Sequence, residues 1–205
     1  MIKLAIDLKH HIKKNLLFYI LTCAAFLLGI VVGCVNYVVM SGEEASYLQE
    51  YMGSFFASVN GGLPNLSSVF WNVFLENGKL VLLMWLFGFS LIGIPFALFV
   101  IGTRGFVYGF AISSFLGMYG MKGALIACCA LLPQLLIYAP ALLSLGVNVI
   151  DSSLFFSIGK KGGTKQYFIR YLVLTLIFLG VFLLAAVVES YVSPVLIKWV
   201  SNLVI

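Results

Sequence analysis

The few charged residues of this 205-residue chain lie almost entirely between long apolar runs. Charged residues make up 9% of the sequence, whereas hydrophobic residues make up 62%. A helix needs about 20 apolar residues to cross the hydrocarbon core of a bilayer, and fewer where it is tucked among other helices. Five runs meet or approach that length, at residues 16–40, 80–101, 105–120, 124–150 and 167–188.

These runs predict an all-α, polytopic membrane bundle of about five transmembrane helices. A backbone group without a hydrogen-bond partner in lipid is very costly, so each run should be helical. A water-soluble domain could not bury so much apolar surface, and we treat residues 1–205 as a single integral membrane domain. The third and fourth runs could instead form a re-entrant hairpin. That arrangement would place Lys122 at membrane depth, at a cost of at least about 2.5 kcal/mol, so two full spans are favoured.

The basic residues indicate the orientation of the chain. Nine of the twelve Lys and Arg residues fall before the first run, between the second and third, or around the gap between the fourth and fifth. Cytoplasmic loops of membrane proteins carry an excess of Lys and Arg, so we expect the N-terminus in the cytoplasm and the C-terminus outside. On this counting Arg104 belongs to a cytoplasmic gap. The basic residues form no long stripe, and no nucleic-acid partner is expected.

The largest gap, residues 41–78, is expected to form two short amphipathic helices on the outer face. Ser41 and Glu44 have the spacing of a capping box, which satisfies free amides at the start of a helix. Apolar and aromatic residues then recur at three- and four-residue intervals on both sides of a break at 60–64. These helices either lie on the bilayer surface or form an aromatic face for a partner. Residues 193–205 are expected to add a short interfacial helix on the same side.

The apolar runs contain little that could perform chemistry. Ionisable groups at membrane depth are costly and usually mark a functional site, and none is expected near the centre of a run. The two histidines, His10 and His11, precede the first run. The four cysteines lie inside runs without the spacing of metal ligands. We therefore expect no enzymatic activity, no cofactor and no metal site.

Small residues recur at four-residue spacing in the first and third runs. Small side chains at this spacing allow helix backbones to approach closely in lipid. They indicate that the third span is buried inside the fold, with a contact between two copies of the chain as the alternative. The predicted helix-packing positions are Gly29, Gly33, Gly105, Gly109, Ser113 and Gly117.

Several short motifs, taken in order, resemble the stage II sporulation protein M family. The motifs are Leu83-Met84-Trp85 with Gly88, Ile92-Gly93-Ile94-Pro95, Gly105-Phe106-Val107-Tyr108-Gly109-Phe110, Leu132-Pro133-Gln134 followed by Pro140-Ala141, and Glu189-Ser190-Tyr191-Val192-Ser193-Pro194. The similarity runs through nearly the whole chain, and the last hexapeptide is its most specific part. Members of the wider superfamily often have a histidine and a glutamate near the first proline of the fourth span. This chain has Gln134 and Tyr138 there, which favours the sporulation branch.

The resemblance implies a five-span protein of the mother-cell membrane that is needed for engulfment of the forespore. It also implies two partners, the membrane-anchored stage II sporulation proteins D and P, which cut peptidoglycan. In this family the protein serves as their membrane scaffold or localisation factor. That role agrees with the expected lack of a catalytic set.

The residues expected to contact such partners lie on the outer side of the membrane. They are Tyr51, Phe55, Trp71, Glu189 and Tyr191. Because a carboxylate at the lipid boundary needs a nearby cation, Glu189 is expected to lie near Lys79 or Lys122, or near a cation of a partner.

Two other functions remain open from the sequence. A transporter or permease subunit is the main alternative, and a membrane-embedded hydrolase is less favoured. The polar residues that could line a transport route are Gln134, Asn148, Ser113 and Ser114.

Overall fold

The computed structural model describes residues 15–61, 65–158 and 164–204. Within these ranges only the backbone is described for residues 55–61, 158 and 199–204. In these residues the chain is helical and has no strand. The helices are α1 (Leu16–Val39), α2 (Gly42–Gly61), α3 (Leu66–Phe87), α4 (Gly93–Ile158), α5 (Thr164–Val187) and α6 (Ser193–Val204), with a π-helical turn at Val188–Val192 between α5 and α6. The prediction of an all-helical membrane protein is confirmed.

Helix α4 is bent into two arms at Gly120. This residue has φ +57° and ψ −137°, a left-handed conformation that glycine adopts without the strain of a Cβ atom. A straight helix of this length would be about 100 Å long, some three times the thickness of the hydrocarbon core. The first arm, 93–119, and the second arm, 121–158, are each long enough to cross. Four apolar helices could span a membrane in the described residues, and the bend gives the chain five crossings.

The first arm of α4 packs against α1 with unusually close backbones. A Cβ atom added to Gly105 would overlap the backbone of Phe26, and one added to Gly109 would overlap that of Ile30. Residue numbers rise together in these pairs, so the two helices run parallel. Gly29, Gly33 and Gly117 also make close approaches in this interface, against Gly102, Phe106 and Tyr37 respectively. Ser113 is half-buried in the same arm.

A second, smaller cluster closes the end of the bundle around the Gly120 bend. Phe115, Ile126 and Ala127 are buried there, and Met52 of α2 and Ile197 of α6 pack against them. Helix α2 is therefore attached to the bundle through one face. The capping box at its start is confirmed, because the Ser41 amide donates to the Glu44 carboxylate at 3.1 Å and the Glu44 amide donates to the Ser41 hydroxyl at 3.4 Å.

The second span differs from the predicted run at 80–101. Helix α3 ends at Phe87, a turn occupies residues 88–92, and α4 begins at Gly93. The Gly88 amide donates to the carbonyls of Met84 and Trp85, which closes the last turn of α3. Pro95 is tolerated because it falls in the first turn of α4, where its missing amide costs no helical hydrogen bond. Residues 66–74, which were expected to form a surface helix, are the first half of α3.

The last span is longer than the predicted run at 167–188. Helices α5 and α6 continue through the π-helical turn, and the apolar stretch extends over Thr164–Lys198. The short helix expected at 193–205 is present as α6, and its residues 193–198 continue the apolar stretch of the last span. Its position is set by Ile197, which packs beside the Gly120 bend.

Candidate functional site

The main departure from the sequence-based expectation is the position of Arg104. It lies in the middle of the first arm of α4, next to Gly105, whose backbone contacts Phe26. Phe26 is close to the midpoint of α1, an apolar spanning helix of 24 residues that contains no charged side chain. Arg104 therefore lies at membrane depth and not in a cytoplasmic gap.

Two carboxylates face the same region of the bundle as Arg104. Glu76 comes from α3 and Glu189 from the π-helical turn, and all three charged residues line one cavity of about 220 Å³. The other lining residues are Val73, Asn77, Val107, Tyr108, Ala111, Leu131, Gln134 and Tyr138. The expectation that no charged residue lies near the centre of a span is wrong. Ionisable residues within spanning helices are a strong indication of a functional site.

Four polar side chains connect the two arms of α4 beside this cavity. The amide Nε2 of Gln134 donates a hydrogen bond to the hydroxyl of Tyr108 at 3.3 Å. The rings of Tyr108 and Tyr138 meet edge to face at 6.1 Å between centroids. The Arg104 guanidinium lies 5.9 Å from the centroid of the Tyr138 ring, which is within cation–π range.

The hydroxyl of Tyr138 is buried without a hydrogen-bond partner among the described residues. Only 3% of this side chain is exposed. Buried hydroxyl groups are almost always hydrogen-bonded, because leaving one unpaired costs on the order of 1–3 kcal/mol. Tyr138 lines the cavity, so the site contains a polar atom that no described residue satisfies.

The charges of the cavity are close but not directly paired. Arg104 attracts the charge of Glu189 and Glu76 repels it. Among the described residues, no carboxylate lies within 4.0 Å of the Arg104 nitrogens. The cation near Glu189 is thus Arg104, whereas Lys79 or Lys122 was expected. The cavity lining thus contains two carboxyl groups and one guanidinium group.

The π-helical turn positions Glu189. In this turn the Ser193 amide donates to the Val188 carbonyl, one residue further back than in an α-helix. The wider turn holds Glu189 at the cavity and buries Ser190 completely. Single π-helical turns within α-helices occur frequently at functional sites.

A groove between α3 and the first arm of α4 adjoins the cavity. It has a volume of about 450 Å³ and shares Glu76, Arg104 and Val107 with the cavity lining. Lys79 lines the groove but does not line the cavity. Its apolar wall includes Leu83 and Val107, which are exposed on spanning helices. The groove therefore faces the lipid.

The structure brings together some of the residues that were expected to contact partners. The rings of Phe70, Trp71 and Phe74 on α3 lie against one another, with Tyr191 6.3 Å from Phe70. We call these four residues the outer aromatic surface. Trp71 is 55% exposed. Tyr51 on α2 is 67% exposed. The side chain of Phe55 lies outside the described residues, and Glu189 faces the cavity.

Metal-binding chemistry finds no support in the part of the chain that is described. No three side chains of His, Cys, Asp or Glu gather there in a possible metal site. Cys34 instead packs against the backbone, with its sulfur 3.4 Å from the carbonyl oxygen of Gly109.

The polar cavity was missed because its residues come from four separate segments of the chain. Tyr108, Gln134 and Glu189 each lie in a motif of the resemblance, but nothing in their spacing shows that they meet. Arg104 and Glu76 were assigned to gaps because charged residues normally end an apolar run.

Comparison with protein families agrees with the resemblance that the sequence motifs indicate. The family described as stage II sporulation protein M matches residues 22–194, which include the residues that line the cavity. No curated protein and no solved structure matches the chain. The match covers most of the sequence, and the chain belongs to the stage II sporulation protein M family.

Proposed function

We propose that this sporulation-associated membrane protein is a non-enzymatic scaffold that localises peptidoglycan-degrading partners during engulfment of the forespore. It would act in the mother-cell membrane, with its N-terminus in the cytoplasm and its C-terminus outside. Family membership supports the link to sporulation. The partners proposed from the resemblance are the membrane-anchored stage II sporulation proteins D and P.

The observation that carries this proposal is the outer aromatic surface. Trp71 and Tyr191 come from different spans and both remain exposed, at 55% and 42%. They are held together by Phe70, so they form one surface and not two isolated side chains. Tyr and Trp are favoured at the centres of protein interfaces because they bury a large area with little loss of rotamer entropy.

A co-purification experiment tests the scaffold role. The full-length protein would be tagged and expressed with sporulation proteins D and P, and the recovery of both partners measured. We expect the double variant Trp71→Ala, Tyr191→Ala to recover about tenfold less of at least one partner, as for the loss of an interface hot spot. Phe99→Ala is the matched control, because Phe99 is an exposed aromatic residue elsewhere on a spanning helix.

Two results separate the scaffold role from simple contact with lipid. The double variant must reach the same membrane abundance as the control, since aromatic residues near membrane boundaries also anchor helices in lipid. Equal recovery of both partners from the double variant and from Phe99→Ala would refute a role for this surface. Failure of the wild-type protein to recover either partner would refute the scaffold proposal itself.

A transport subunit is the second candidate, and the polar cavity favours it. Transporters commonly bind their substrates near the bilayer midplane among polar side chains from several helices. The volume of about 220 Å³ would accommodate a solute of amino-acid size. Proteoliposomes loaded with radiolabelled alanine or lysine provide the test. Release that depends on the protein and is lost in Glu189→Gln would support transport, whereas no release above empty liposomes would exclude transport of these two solutes.

A further inference from the structure

We infer that the groove and the cavity together bind the headgroup of a phospholipid that carries a primary ammonium group. This inference does not depend on the scaffold role. It accounts for three features that the scaffold proposal leaves unexplained. These are the charges at membrane depth, the unpartnered hydroxyl of Tyr138 and the opening of the groove towards lipid.

The order of the charges matches a zwitterionic headgroup. The groove on the lipid side contains both cations, Lys79 and Arg104, with the single carboxylate of Glu76. The deeper cavity contains both carboxylates, Glu76 and Glu189, with Arg104 at the junction. In a phospholipid the phosphate lies next to the glycerol and acyl chains, and the ammonium is further away. A headgroup that enters from the groove would therefore bring its phosphate to the cations and its ammonium to the carboxylates.

The individual groups also suit these two roles. Arginine binds phosphate through several donors in a planar fork, and lysine supplies a further cation. An ammonium group donates three hydrogen bonds. Glu189 and Tyr138 both line the cavity, and the hydroxyl of Tyr138 has no hydrogen-bond partner within the described residues. A bound ammonium would satisfy this buried oxygen.

The membrane is the natural source of the ligand. Leu83 and Val107 form part of the groove wall and are exposed on helices that span the bilayer. Acyl chains could lie along these side chains while the headgroup enters between α3 and the first arm of α4.

The chemistry distinguishes between common phospholipids. Phosphatidylethanolamine has a primary ammonium and can donate hydrogen bonds to Glu189 and Tyr138. Phosphatidylcholine has the same charges, but its quaternary ammonium has no hydrogen to donate. Phosphatidylglycerol has a phosphate and no cation, so it would leave the carboxylates of the cavity uncompensated.

Native mass spectrometry of the purified full-length protein tests the inference. The protein would be titrated with phosphatidylethanolamine, phosphatidylcholine or phosphatidylglycerol with identical acyl chains. We expect one site that binds phosphatidylethanolamine about tenfold more tightly than the other two lipids, which is the effect of one charge-assisted hydrogen bond. Glu189→Gln should abolish that preference. Arg104→Gln should weaken binding of phosphatidylethanolamine by a similar factor.

Two further variants keep the test decisive. Tyr138→Phe removes only the unpartnered hydroxyl, so it should fold and should reduce the preference for phosphatidylethanolamine over phosphatidylcholine by about threefold. Glu50→Gln is the control, because Glu50 is exposed on α2, away from the cavity. Equal affinities of the wild-type protein for the three lipids would overturn the inference. An unchanged preference in both Glu189→Gln and Tyr138→Phe would also overturn it. Because no partner protein is present, a negative result leaves the scaffold role untouched.

Discussion

The guanidinium of Arg104 lies 5.9 Å from the centroid of the Tyr138 ring, although the two residues belong to different arms of the same helix. The bend at Gly120 folds the second arm back along the first and so brings these side chains together. Gln134 and Tyr108 join the arms through a hydrogen bond nearby. The polar cavity therefore depends on the bend, and its residues should contribute to stability as well as to binding.

Arg104 should be coupled energetically to the carboxylates of the cavity. Arg104→Gln removes the cation and leaves Glu76 and Glu189 at membrane depth without compensation. We expect the free energy of unfolding to fall by about 2 kcal/mol, less than for a buried ion pair in direct contact. Unfolding in mixed detergent and SDS micelles would measure the loss.

A double variant serves as the control for this prediction. Adding Glu189→Gln removes one of the uncompensated carboxylates, so Arg104→Gln, Glu189→Gln should recover about 1 kcal/mol relative to Arg104→Gln alone. Strictly additive losses from the two single changes would contradict the coupling.

The interface between α1 and α4 should not tolerate larger side chains at Gly109. A Cβ atom there would already overlap the backbone of Ile30. We expect Gly109→Leu to reduce stability by about 1–3 kcal/mol through overpacking and to lower the amount of protein in the membrane. Gly180→Leu is the matched control, because no atom lies within 4 Å of a Cβ added at Gly180. Similar abundance of the two variants would show that the interface can open without cost.

The turn between α3 and α4 should be stabilised by Tyr171. Its hydroxyl donates a hydrogen bond to the carbonyl of Trp85 at 3.0 Å, and its ring is 1% exposed. We expect Tyr171→Phe to cost about 1 kcal/mol in unfolding free energy, because the carbonyl loses a buried partner. Tyr47→Phe, at an exposed position on α2, should cost nothing measurable. Equal stability of both variants and the wild type would mean that the hydrogen bond contributes no net free energy.

Cysteine labelling would test the five crossings and their direction. In a cysteine-free background, single cysteines at Glu50 and Met121 should react with a membrane-impermeant reagent from outside the cell. Cysteines at Ser90 and Ser157 should react only after the membrane is permeabilised. Both pairs follow from the bend at Gly120 and the turn at 88–92.

The labelling result also tests the orientation that the distribution of basic residues indicates. Arg104 and Lys79 lie within spanning helices and no longer contribute to the orientation signal. Of the ten remaining basic residues, eight would lie on the cytoplasmic side, and Lys122 and Lys198 would lie outside. Most of these eight, including Lys13 and Lys161, lie outside the described residues. Protection of Met121 from the external reagent would contradict both the orientation and the full span of the first arm.

The sequence by itself determined that the chain is a helical membrane protein. Its apolar runs are too long and too free of charge for a water-soluble domain, and backbone groups in lipid must be paired within helices. Local signals also predicted the capping box at Ser41 and Glu44. The end of α3 and the start of α4 could also have been predicted from the sequence. Glycine is typical just after the last residue of a helix, as at Gly88, and proline is typical of the first turn, as at Pro95.

Only the tertiary structure decided where the spans end and which charges lie inside the membrane. Hydropathy considers each helix alone, so Glu76, Arg104 and Glu189 were placed at the ends of runs. A charged side chain can stay at membrane depth when other helices surround it with opposite charge and polar groups. Here Tyr138 lies against Arg104 and Gln134 lines the same cavity, because the chain reverses at Gly120. Such compensation depends on contacts between distant segments, and no local pattern of residues contains it.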